Sequence, residues 1–255
     1  MNIGIITGAS SGLGREYAYL LDKENLDEIW LIARREKELK HLAEELSTKT
    51  RVLPFDLTEK DTLMCIEREL CSEGSQIRYL INAAGFGKIG SERDIDIDEI
   101  MGMIDLNCKA AVGMTHIALP YMGSGSHIIQ ICSCSAFQPI PYLNVYASSK
   151  AFLLHYSRAL SVELSSKGIR VSAVCPYWIK DTEFIANAQR TKNSSYISSF
   201  PFAGKQKEIA IASFKAAKRG KIVITPEVIS SAHRILTSIF PHHLLISVSK
   251  WFHKF

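Results

Sequence analysis

The chain has 255 residues, of which 47% are hydrophobic and 22% are charged. This length buries a large core without disulfides or metals, and the apolar content excludes a disordered or low-complexity chain. The formal net charge of +4 is too small to indicate nucleic-acid binding, although residues 201–255 hold nine Lys or Arg against two Asp or Glu.

Short apolar runs, typical of buried strands, alternate along the chain with segments of helical periodicity. The runs lie at residues 3–7, 29–33, 52–55, 77–81, 126–131, 170–175 and 221–225. Near-continuous apolar strands separated by helices indicate a parallel sheet that is covered on both faces. We therefore predict one doubly wound α/β domain over residues 1–255, with a Rossmann-like parallel sheet and helices on both faces.

The cysteines, the histidines and the N-terminus bear on the compartment. None of the six cysteines has a CxxC spacing, which indicates free thiols in a reducing compartment. The eight histidines show no metal-ligand spacing, so we expect no metal site. The chain opens directly on an apolar run, without the charged and apolar regions of a secretion signal. We therefore expect a cytoplasmic protein.

The first strand runs into a glycine-rich turn, and an amphipathic helix follows it. Glycines let the backbone turn tightly and approach a pyrophosphate, and the free N–H groups of a helix N-terminus favour an anion. An ordinary strand–helix turn is the alternative. The place of this turn between the first strand and the first helix favours a dinucleotide site formed by Gly8, Ser10, Ser11, Gly12, Leu13 and Gly14.

The end of the second strand indicates which dinucleotide is bound. An NAD site would usually carry Asp or Glu there for the ribose 2′-hydroxyl, whereas Arg accommodates a 2′-phosphate. Here the strand ends with Ala33, Arg34 and Arg35. A solvated charge pair at the start of a helix is the alternative. Given the glycine-rich turn, we predict NADP(H), held by Arg34 and Arg35.

A tyrosine and a lysine lie one turn apart at the start of a helix predicted over residues 145–166. Tyr146 and Lys150 are at i and i+4, so they share a face of that helix. A neighbouring cation favours the phenolate, and a lowered phenol pKa lets tyrosine exchange a proton with a carbonyl or an alcohol near neutral pH. Ser133 ends the preceding strand and is a candidate to hold the substrate oxygen. By itself, the YxxxK pattern usually means only a helix surface.

The combination of motifs resembles the short-chain dehydrogenase/reductase family. TGxxxGxG at residues 7–14 is followed at the family's intervals by Asn82-Ala83-Ala84-Gly85, Asn107, Ser133 and Tyr146-x-x-x-Lys150. The resemblance covers about residues 3–182. It implies a single Rossmann-like domain with a seven-stranded parallel sheet, and a homodimer or homotetramer.

The resemblance also implies roles for individual residues. Asn107 anchors a proton-relay water, Ser133 orients the carbonyl, Tyr146 is the acid/base and Lys150 binds the nicotinamide ribose. Ser135 is a rival for Ser133, but it lies only eleven residues before Tyr146. Further cofactor contacts are implied at Asp56 (the adenine contact), Leu57, Ala83, Ala84, Gly85, Pro176, Ile179 and Thr182, with Asn82 stabilising the sheet.

Two departures from the family pattern occur, the first after the sixth strand and the second after the fourth. Tyr177 follows Pro176 where the family has glycine, and the threonine expected to hold the cofactor carboxamide, Thr182, comes one position late. Ala83 replaces the family's second asparagine.

Together these features predict an NADP(H)-dependent oxidoreductase that reduces a carbonyl or oxidises the matching alcohol. Six aromatic residues in segments expected at the carboxyl edge of the sheet favour a bulky apolar substrate, such as a steroid, acyl or aryl ketone, over a sugar: Phe86, Phe137, Tyr142, Tyr177, Trp178 and Phe184. Ordinary core aromatics are the alternative.

Two other functions stay open. A dinucleotide-binding regulatory or scaffold protein would have no need of the Asn–Ser–Tyr–Lys set. An epimerase or dehydratase of nucleotide sugars shares YxxxK, but the chain is short for the extra substrate domain of that class.

Two segments lie outside the motifs. A polar segment within residues 177–204 follows the sixth strand and is predicted to be a lid. In the tail, residues 226–255, apolar residues recur at helical spacing (Ile229, Ala232, His233, Leu236, Ile239 and Phe240), and a second apolar piece runs from Leu244 to Phe255 beside Lys250 and Lys254. We expect this amphipathic tail to pack on the protein itself, rather than against another subunit or on a membrane surface, and we expect no vesicle binding at physiological salt.

Overall fold

Seven parallel strands form the centre of the fold in the computed structural model, which describes residues 1–252 and, for residues 72, 73 and 248–252, the backbone alone. The strands are β1 (Asn2–Thr7), β2 (Glu28–Ile32), β3 (Thr50–Leu53), β4 (Gln76–Asn82), β5 (His127–Ile131), β6 (Arg170–Val174) and β7 (Val223–Ile224). They pair in the order β3-β2-β1-β4-β5-β6-β7. The predicted doubly wound, Rossmann-like α/β fold is confirmed.

Helices cover both faces of this sheet. They are α1 (Gly12–Leu21), α2 (Glu36–Glu45), α3 (Thr62–Glu73), α4 (Ile97–Ile104), α5 (Ala111–Ala118), α6 (Asn144–Glu163), α7 (Phe184–Ala188), α8 (Gln206–Lys218), α9 (Val228–Ile239) and α10 (His242–Phe252). A π-helical turn, Asp105–Ala110, joins α4 to α5, and a 3-10 turn, Cys134–Phe137, follows β5. Successive side chains of a strand point to opposite faces. Accordingly, Ile5 joins the buried cluster under α3 and α5, and Ile6 joins the cluster under α1 and α8.

The strand order places a crevice at one edge of the sheet. The chain winds from β1 to β2 and β3 on one side and to β4 through β7 on the other, so the connections diverge at the carboxyl ends of β1 and β4. Ligands of open α/β sheets bind at such a point. Asn82 ends β4 there, and its Nδ2 donates to the Ala111 carbonyl at 3.3 Å and to Thr115 Oγ1 at 3.1 Å. This asparagine ties β4 to α5.

The segment predicted as a lid, residues 177–204, contains α7 and is fastened near both ends. Gly204 N donates to the Trp178 carbonyl at 2.8 Å, and Lys180 N donates to the Gly204 carbonyl at 3.1 Å. Within the segment, the Tyr196 ring stacks on Tyr142 at 3.8 Å between centroids. The segment therefore has defined contacts with the body of the protein.

The tail forms two helices, and its expected packing on the chain is wrong for most of its apolar side chains. Val228, Ile235, Leu236, Ile239 and Phe240 are 88%, 58%, 47%, 65% and 47% exposed. The side of α9 that packs on the protein carries the buried Ser230, and also His233, whose ring lies 6.1 Å from that of Phe137. The predicted apolar face thus lies only partly against the protein. Lys254 and Phe255 lie outside the described residues.

Candidate active site

A cavity of about 1180 Å³ lies at the carboxyl edge of the sheet. One end is bounded by the glycine-rich turn and by the segments that follow β2, β3 and β4. The other end is bounded by residues 138–143, the start of α6 and the segment 177–204. Ser133, Tyr146 and Lys150 line the cavity where these two ends meet. The cavity therefore has room for two ligands, one at each end, that would meet beside these three side chains.

The glycine-rich turn brings α1 very close to the end of β1. A Cβ atom on Gly14 would lie 2.2 Å from the Gly8 carbonyl oxygen, and Gly8 itself has a φ of 69°. Glycine is needed at both positions because a side chain would collide at one and strain the backbone at the other. The N-terminus of α1, with its free N–H groups, borders the cavity at Gly12. This geometry suits the phosphates of a dinucleotide.

The structure brings almost all of the predicted cofactor contacts to the cavity wall. These are Gly8, Ser10, Ser11, Gly12, Leu13, Gly14, Arg34, Arg35, Asp56, Leu57, Ala83, Ala84, Gly85, Tyr146, Lys150, Pro176, Ile179 and Thr182. Asn82 does not line the wall, because its side chain is used in the contact between β4 and α5. The Thr182 hydroxyl donates to the Ile179 carbonyl at 3.2 Å.

Two arginines border the end of the cavity beyond β2. Arg34 Nη1 lies 3.6 Å from Asp56 Oδ2, and its side chain is 73% exposed. Partial burial opposes the charge on Asp56, but hydrogen bonds from Thr58 and the nearby Arg34 outweigh it and hold the pKa of this carboxyl below its usual value. Arg35 Nε donates to Ser10 Oγ at 3.3 Å. Both guanidinium groups are thus within reach of a ligand at the glycine-rich turn.

The side chains predicted to be catalytic converge on the middle of the cavity. Ser133 lies two residues after β5, and its hydroxyl is hydrogen-bonded to the phenol of Tyr146 on α6. One turn later, Lys150 Nζ donates to the Ile131 carbonyl at 2.8 Å and lies 5.7 Å from the centre of the Tyr146 ring. The rival Ser135 also lines the cavity, and its backbone N–H donates to Ser133 Oγ at 3.2 Å.

Asn107 lies behind this group rather than in the cavity wall. It sits in the π-helical turn, where its Oδ1 accepts from the Phe86 backbone N–H at 3.0 Å. Its Nδ2 donates to the Phe86 carbonyl at 2.9 Å and to Ser149 Oγ at 3.0 Å. A Cβ on Gly85 would lie 2.7 Å from Asn107 Oδ1 and 3.2 Å from Lys150 Nζ. Glycine therefore lets Asn107 and Lys150 approach the same stretch of backbone.

Burial dominates the titration of Tyr146 and Lys150. It raises the pKa of the Tyr146 phenol, an effect that the hydrogen bond with Ser133 offsets in part. It also lowers the pKa of the Lys150 ammonium group. The net pKa shift of Tyr146 is therefore upward rather than the expected downward one, because desolvation of the phenolate outweighs any attraction to the Lys150 cation. Tyr146 is therefore protonated at neutral pH and able to donate a proton.

The aromatic residues predicted to form the substrate wall do not all line the cavity. Of the six aromatic residues, four line the cavity: Phe86, Tyr177, Trp178 and Phe184. Phe137 does not, because its ring packs toward His233 of α9. Tyr142 does not either, because it stacks on Tyr196.

Several lining residues were not among the site residues predicted from the sequence, although Glu183, Asn187 and the segment 195–199 fall within the predicted lid, residues 177–204. They are Gln138, Pro139, Ile140, Pro141, Leu143, Glu183, Asn187, His233 and the segment 195–199. Gln138 Oε1 and Ser135 Oγ are buried without a hydrogen-bond partner among the residues that the structure describes. Most of these positions are in irregular segments, whose placement depends on tertiary contacts. The polar, Ser-rich composition of the segment after β6 was the available signal for those that lie in the predicted lid.

Comparisons with known proteins agree with this geometry. A family model for short chain dehydrogenases matches residues 2–193. Sulfoacetaldehyde reductase 2 of Chromohalobacter salexigens is 34% identical over 192 residues, which make up 72% of this chain and 74% of that protein.

Two solved structures resemble almost the whole chain. A short-chain dehydrogenase from Sphingobium yanoikuyae in complex with NADPH has a TM-score of 0.77 and 27% identity, covering 94% of this chain and 96% of the other. The bulky-bulky ketone specific alcohol dehydrogenase from Comamonas testosteroni has a TM-score of 0.74 and 26% identity, covering 94% and 95%. With its fold, its glycine-rich turn and its family-model match, the chain belongs to the short-chain dehydrogenase/reductase family.

Proposed function

We propose that the protein is an NADP(H)-dependent reductase of bulky, apolar ketones, working in the cytoplasm as a homodimer or homotetramer. Membership of the family makes it an oxidoreductase that acts on alcohol or carbonyl groups. The observation that carries the finer proposal is the position of Ser133, Tyr146 and Lys150 in one cavity, between an end that suits a cofactor and an end that is rich in aromatic side chains.

The cofactor end fits a phosphorylated dinucleotide. The close approach of Gly8 and Gly14 leaves backbone N–H groups of α1 for the pyrophosphate. Arg34 and Arg35 suit the 2′-phosphate, and no acidic residue ends β2 to bind an unmodified ribose. The NADPH bound to the Sphingobium yanoikuyae protein supports the same assignment. When bound, NADP(H) supplies the hydride for the reaction.

The chain's own residues supply the proton and the orientation. Tyr146, held protonated by burial, donates its proton to the substrate oxygen as that oxygen gains negative charge. Ser133, hydrogen-bonded to the same phenol, orients the oxygen. Lys150, buried beside the ring, stabilises the phenolate that remains and binds the cofactor ribose. Asn107 holds the backbone at Phe86, which in turn lines the cavity.

The substrate end favours an apolar compound. The apolar part of its wall is formed by the four aromatic side chains together with Ile140, Leu143 and Ile197, and the described residues that line this end include no Lys or Arg. The sulfonate of a substrate such as sulfoacetaldehyde would lack a cationic partner there, and burying it unpaired would be costly. A ketone with a bulky group fills this space better, as the name of the Comamonas testosteroni neighbour also suggests.

The test is NADPH oxidation by the purified protein with a panel of ketones. We expect steroid or aryl ketones to be reduced with a higher kcat/KM than sugar ketones or sulfoacetaldehyde. Preference for a sugar or an anionic substrate would refute the substrate class. NADPH binding without turnover across the panel would instead favour a regulatory dinucleotide-binding protein.

A further inference from the structure

A second glycine of the segment after β4, Gly87, lies directly against the ring of Tyr146. A Cβ atom on Gly87 would lie 2.7 Å from Tyr146 Cδ2, 2.9 Å from Tyr146 Cγ and 3.0 Å from Phe184 Cζ. Carbon atoms in ordinary contact are about 3.5–4.0 Å apart. Gly87 does not have a positive φ, so its backbone conformation would accept a side chain. The obstacle to a side chain is therefore the two aromatic rings, which occupy the space that it would need.

The backbone on both sides of Gly87 is held in place. The N–H of Phe86 donates to Asn107 Oδ1 at 3.0 Å, and the carbonyl of Phe86 accepts from Asn107 Nδ2 at 2.9 Å. Two residues after Gly87, the N–H of Ile89 donates to the Ala188 carbonyl at 2.8 Å. A shift of this segment away from Tyr146 would break or stretch these hydrogen bonds. A side chain at residue 87 would therefore displace the ring of Tyr146 rather than the backbone.

The ring of Tyr146 has no free space in which to move. Only 7% of Tyr146 is exposed, and its ring lies 5.3 Å from that of Phe184 between centroids. Phe184 is in turn backed by Trp178, at 6.4 Å between ring centroids. The phenol of Tyr146 is hydrogen-bonded to Ser133. A displacement of the ring would therefore carry the hydroxyl away from Ser133.

We propose that Gly87 is a positioning residue for the proton transfer, because its lack of a side chain lets the Tyr146 ring rest on the backbone and present its hydroxyl in the middle of the cavity. This inference rests on the proposed role of Tyr146 as the proton donor. Gly87 has no side-chain group that could take part in the reaction, so its effect is exerted through Tyr146. The neighbouring Gly85 serves Asn107 and Lys150 in the same way.

The experiment compares Gly87→Ala and Gly87→Val with wild type in two measurements. The first is reduction by NADPH of the aryl ketone that has the highest kcat/KM in the panel above. The second is the NMR resonance of Tyr146 in protein labelled with [ζ-13C]tyrosine, identified by its loss in Tyr146→Phe. The matched control is Gly123→Ala, at another glycine outside the helices and without a positive φ, where the nearest atom to an added Cβ is Gln76 Nε2 at 3.4 Å. Urea unfolding checks that each variant folds.

We expect kcat of Gly87→Ala to fall at least about tenfold, because a misplacement of ~1 Å in a reacting group costs up to ~10²-fold. The KM values for NADPH and the ketone should change by less than about twofold, since the variant alters proton transfer and not ground-state binding. Gly87→Val should be slower still. The Tyr146 resonance should shift in both variants, because the hydrogen bond to Ser133 is altered, and Gly123→Ala should resemble wild type.

Three results would overturn the proposal. An unchanged kcat and Tyr146 resonance in folded Gly87→Ala would show that the ring does not depend on Gly87. A higher KM for the ketone with an unchanged kcat would mean that the added methyl group obstructs the substrate instead. Loss of folding in Gly87→Ala would make Gly87 a requirement of the fold. The resonance is measured without substrate, so a failure of the proposed function appears separately, as the absence of turnover by wild type.

Discussion

Arg35 and Glu183 form an ion pair across the mouth of the cavity. Arg35 Nη1 donates to the two carboxylate oxygens of Glu183 at 3.2 and 2.9 Å. Arg35 precedes α2 at the cofactor end, whereas Glu183 belongs to the segment 177–204 and directly precedes α7. The pair thus connects the proposed 2′-phosphate site to the wall of the substrate end. A phosphate bound by Arg35 would compete with this carboxylate.

The first prediction concerns this competition. Glu183→Gln removes a negative charge beside the proposed phosphate site, so NADPH should bind more tightly by about two- to fivefold, the ordinary range for an exposed ion pair. NADH affinity should change less. Fluorescence titration with both cofactors measures the effect. The control is Glu208→Gln, which neutralises a carboxylate paired with Lys205 on α8. Equal changes for NADPH and NADH would show that Glu183 does not compete with the phosphate.

The second prediction concerns cofactor choice. Arg34→Asp replaces the exposed guanidinium with a carboxylate that repels a 2′-phosphate and accepts from a ribose hydroxyl. The ratio of kcat/KM for NADPH to that for NADH should fall by at least about tenfold, the size of one charge-assisted hydrogen bond. Lys37→Asp makes the same charge change on α2 away from the cavity wall and should leave the ratio unchanged. Wild type using NADH as well as NADPH would contradict the assignment.

The third prediction concerns the proton donor. Tyr146→Phe keeps the ring but removes the hydroxyl, so kcat should fall by at least ~10²-fold while NADPH still binds. Lys150→Ala should weaken both turnover and cofactor binding, because Lys150 serves both. Tyr156→Phe is the control: this tyrosine lies on the same helix, and its phenol is bonded to Thr115 rather than to Ser133. Near-normal turnover by Tyr146→Phe would exclude the proposed mechanism.

The fourth prediction concerns stability in acid. Burial lowers the pKa of His127 to about 4, and the cations Arg170, Arg78 and Lys218 add to the effect. The unfolded chain, with an ordinary histidine pKa near ~6.5, therefore binds this proton first as pH falls. The free energy of unfolding should decrease from about pH 6.5 to pH 4, by up to ~1.4 kcal/mol per pH unit from this group alone.

His127→Phe tests this assignment and preserves a ring that can stack on Tyr79, from which the His127 ring is 5.2 Å away between centroids. Urea unfolding at several pH values should show a shallower slope in this window for the variant than for wild type. His41→Phe, at an exposed position on α2, is the control and should keep the wild-type slope. An unchanged slope in His127→Phe would assign the acid sensitivity to other groups.

The sequence predicted those features that depend on residues close together in the chain. Strands buried on both faces are nearly all apolar, so β1, β2 and β5 are visible as short runs of Ile, Leu and Trp. The glycine-rich turn and the spacing of Tyr146 and Lys150 are local as well. These features were enough to predict the fold class and about half of the residues that line the cavity.

Features that depend on tertiary contacts could not be predicted in the same way. Glu183 lies beside Arg35 only because the chain returns to the cofactor end after β6. His233 was counted with the tail, although it lines the cavity. The apolar spacing of α9 predicted a helix correctly. The apolar residues occupy two adjoining faces of that helix, however, and their spacing does not show which face packs on the protein. Only the packing against Phe137 decides which of them is covered.

The π-helical turn Asp105–Ala110 has a consequence for how the chain tolerates change. Such a turn holds one residue more than the α-helix around it, so the side chains within it point in directions that an α-helix would not give them. Deleting one residue there would allow a continuous α-helix whose flanks keep their orientation, but it would change the direction of the side chains within the turn itself. Asn107 would then turn away from the backbone of Phe86. The position of Asn107 thus depends on the number of residues in the π-helical turn as much as on their identity. A deletion within this turn should therefore be more damaging than most substitutions.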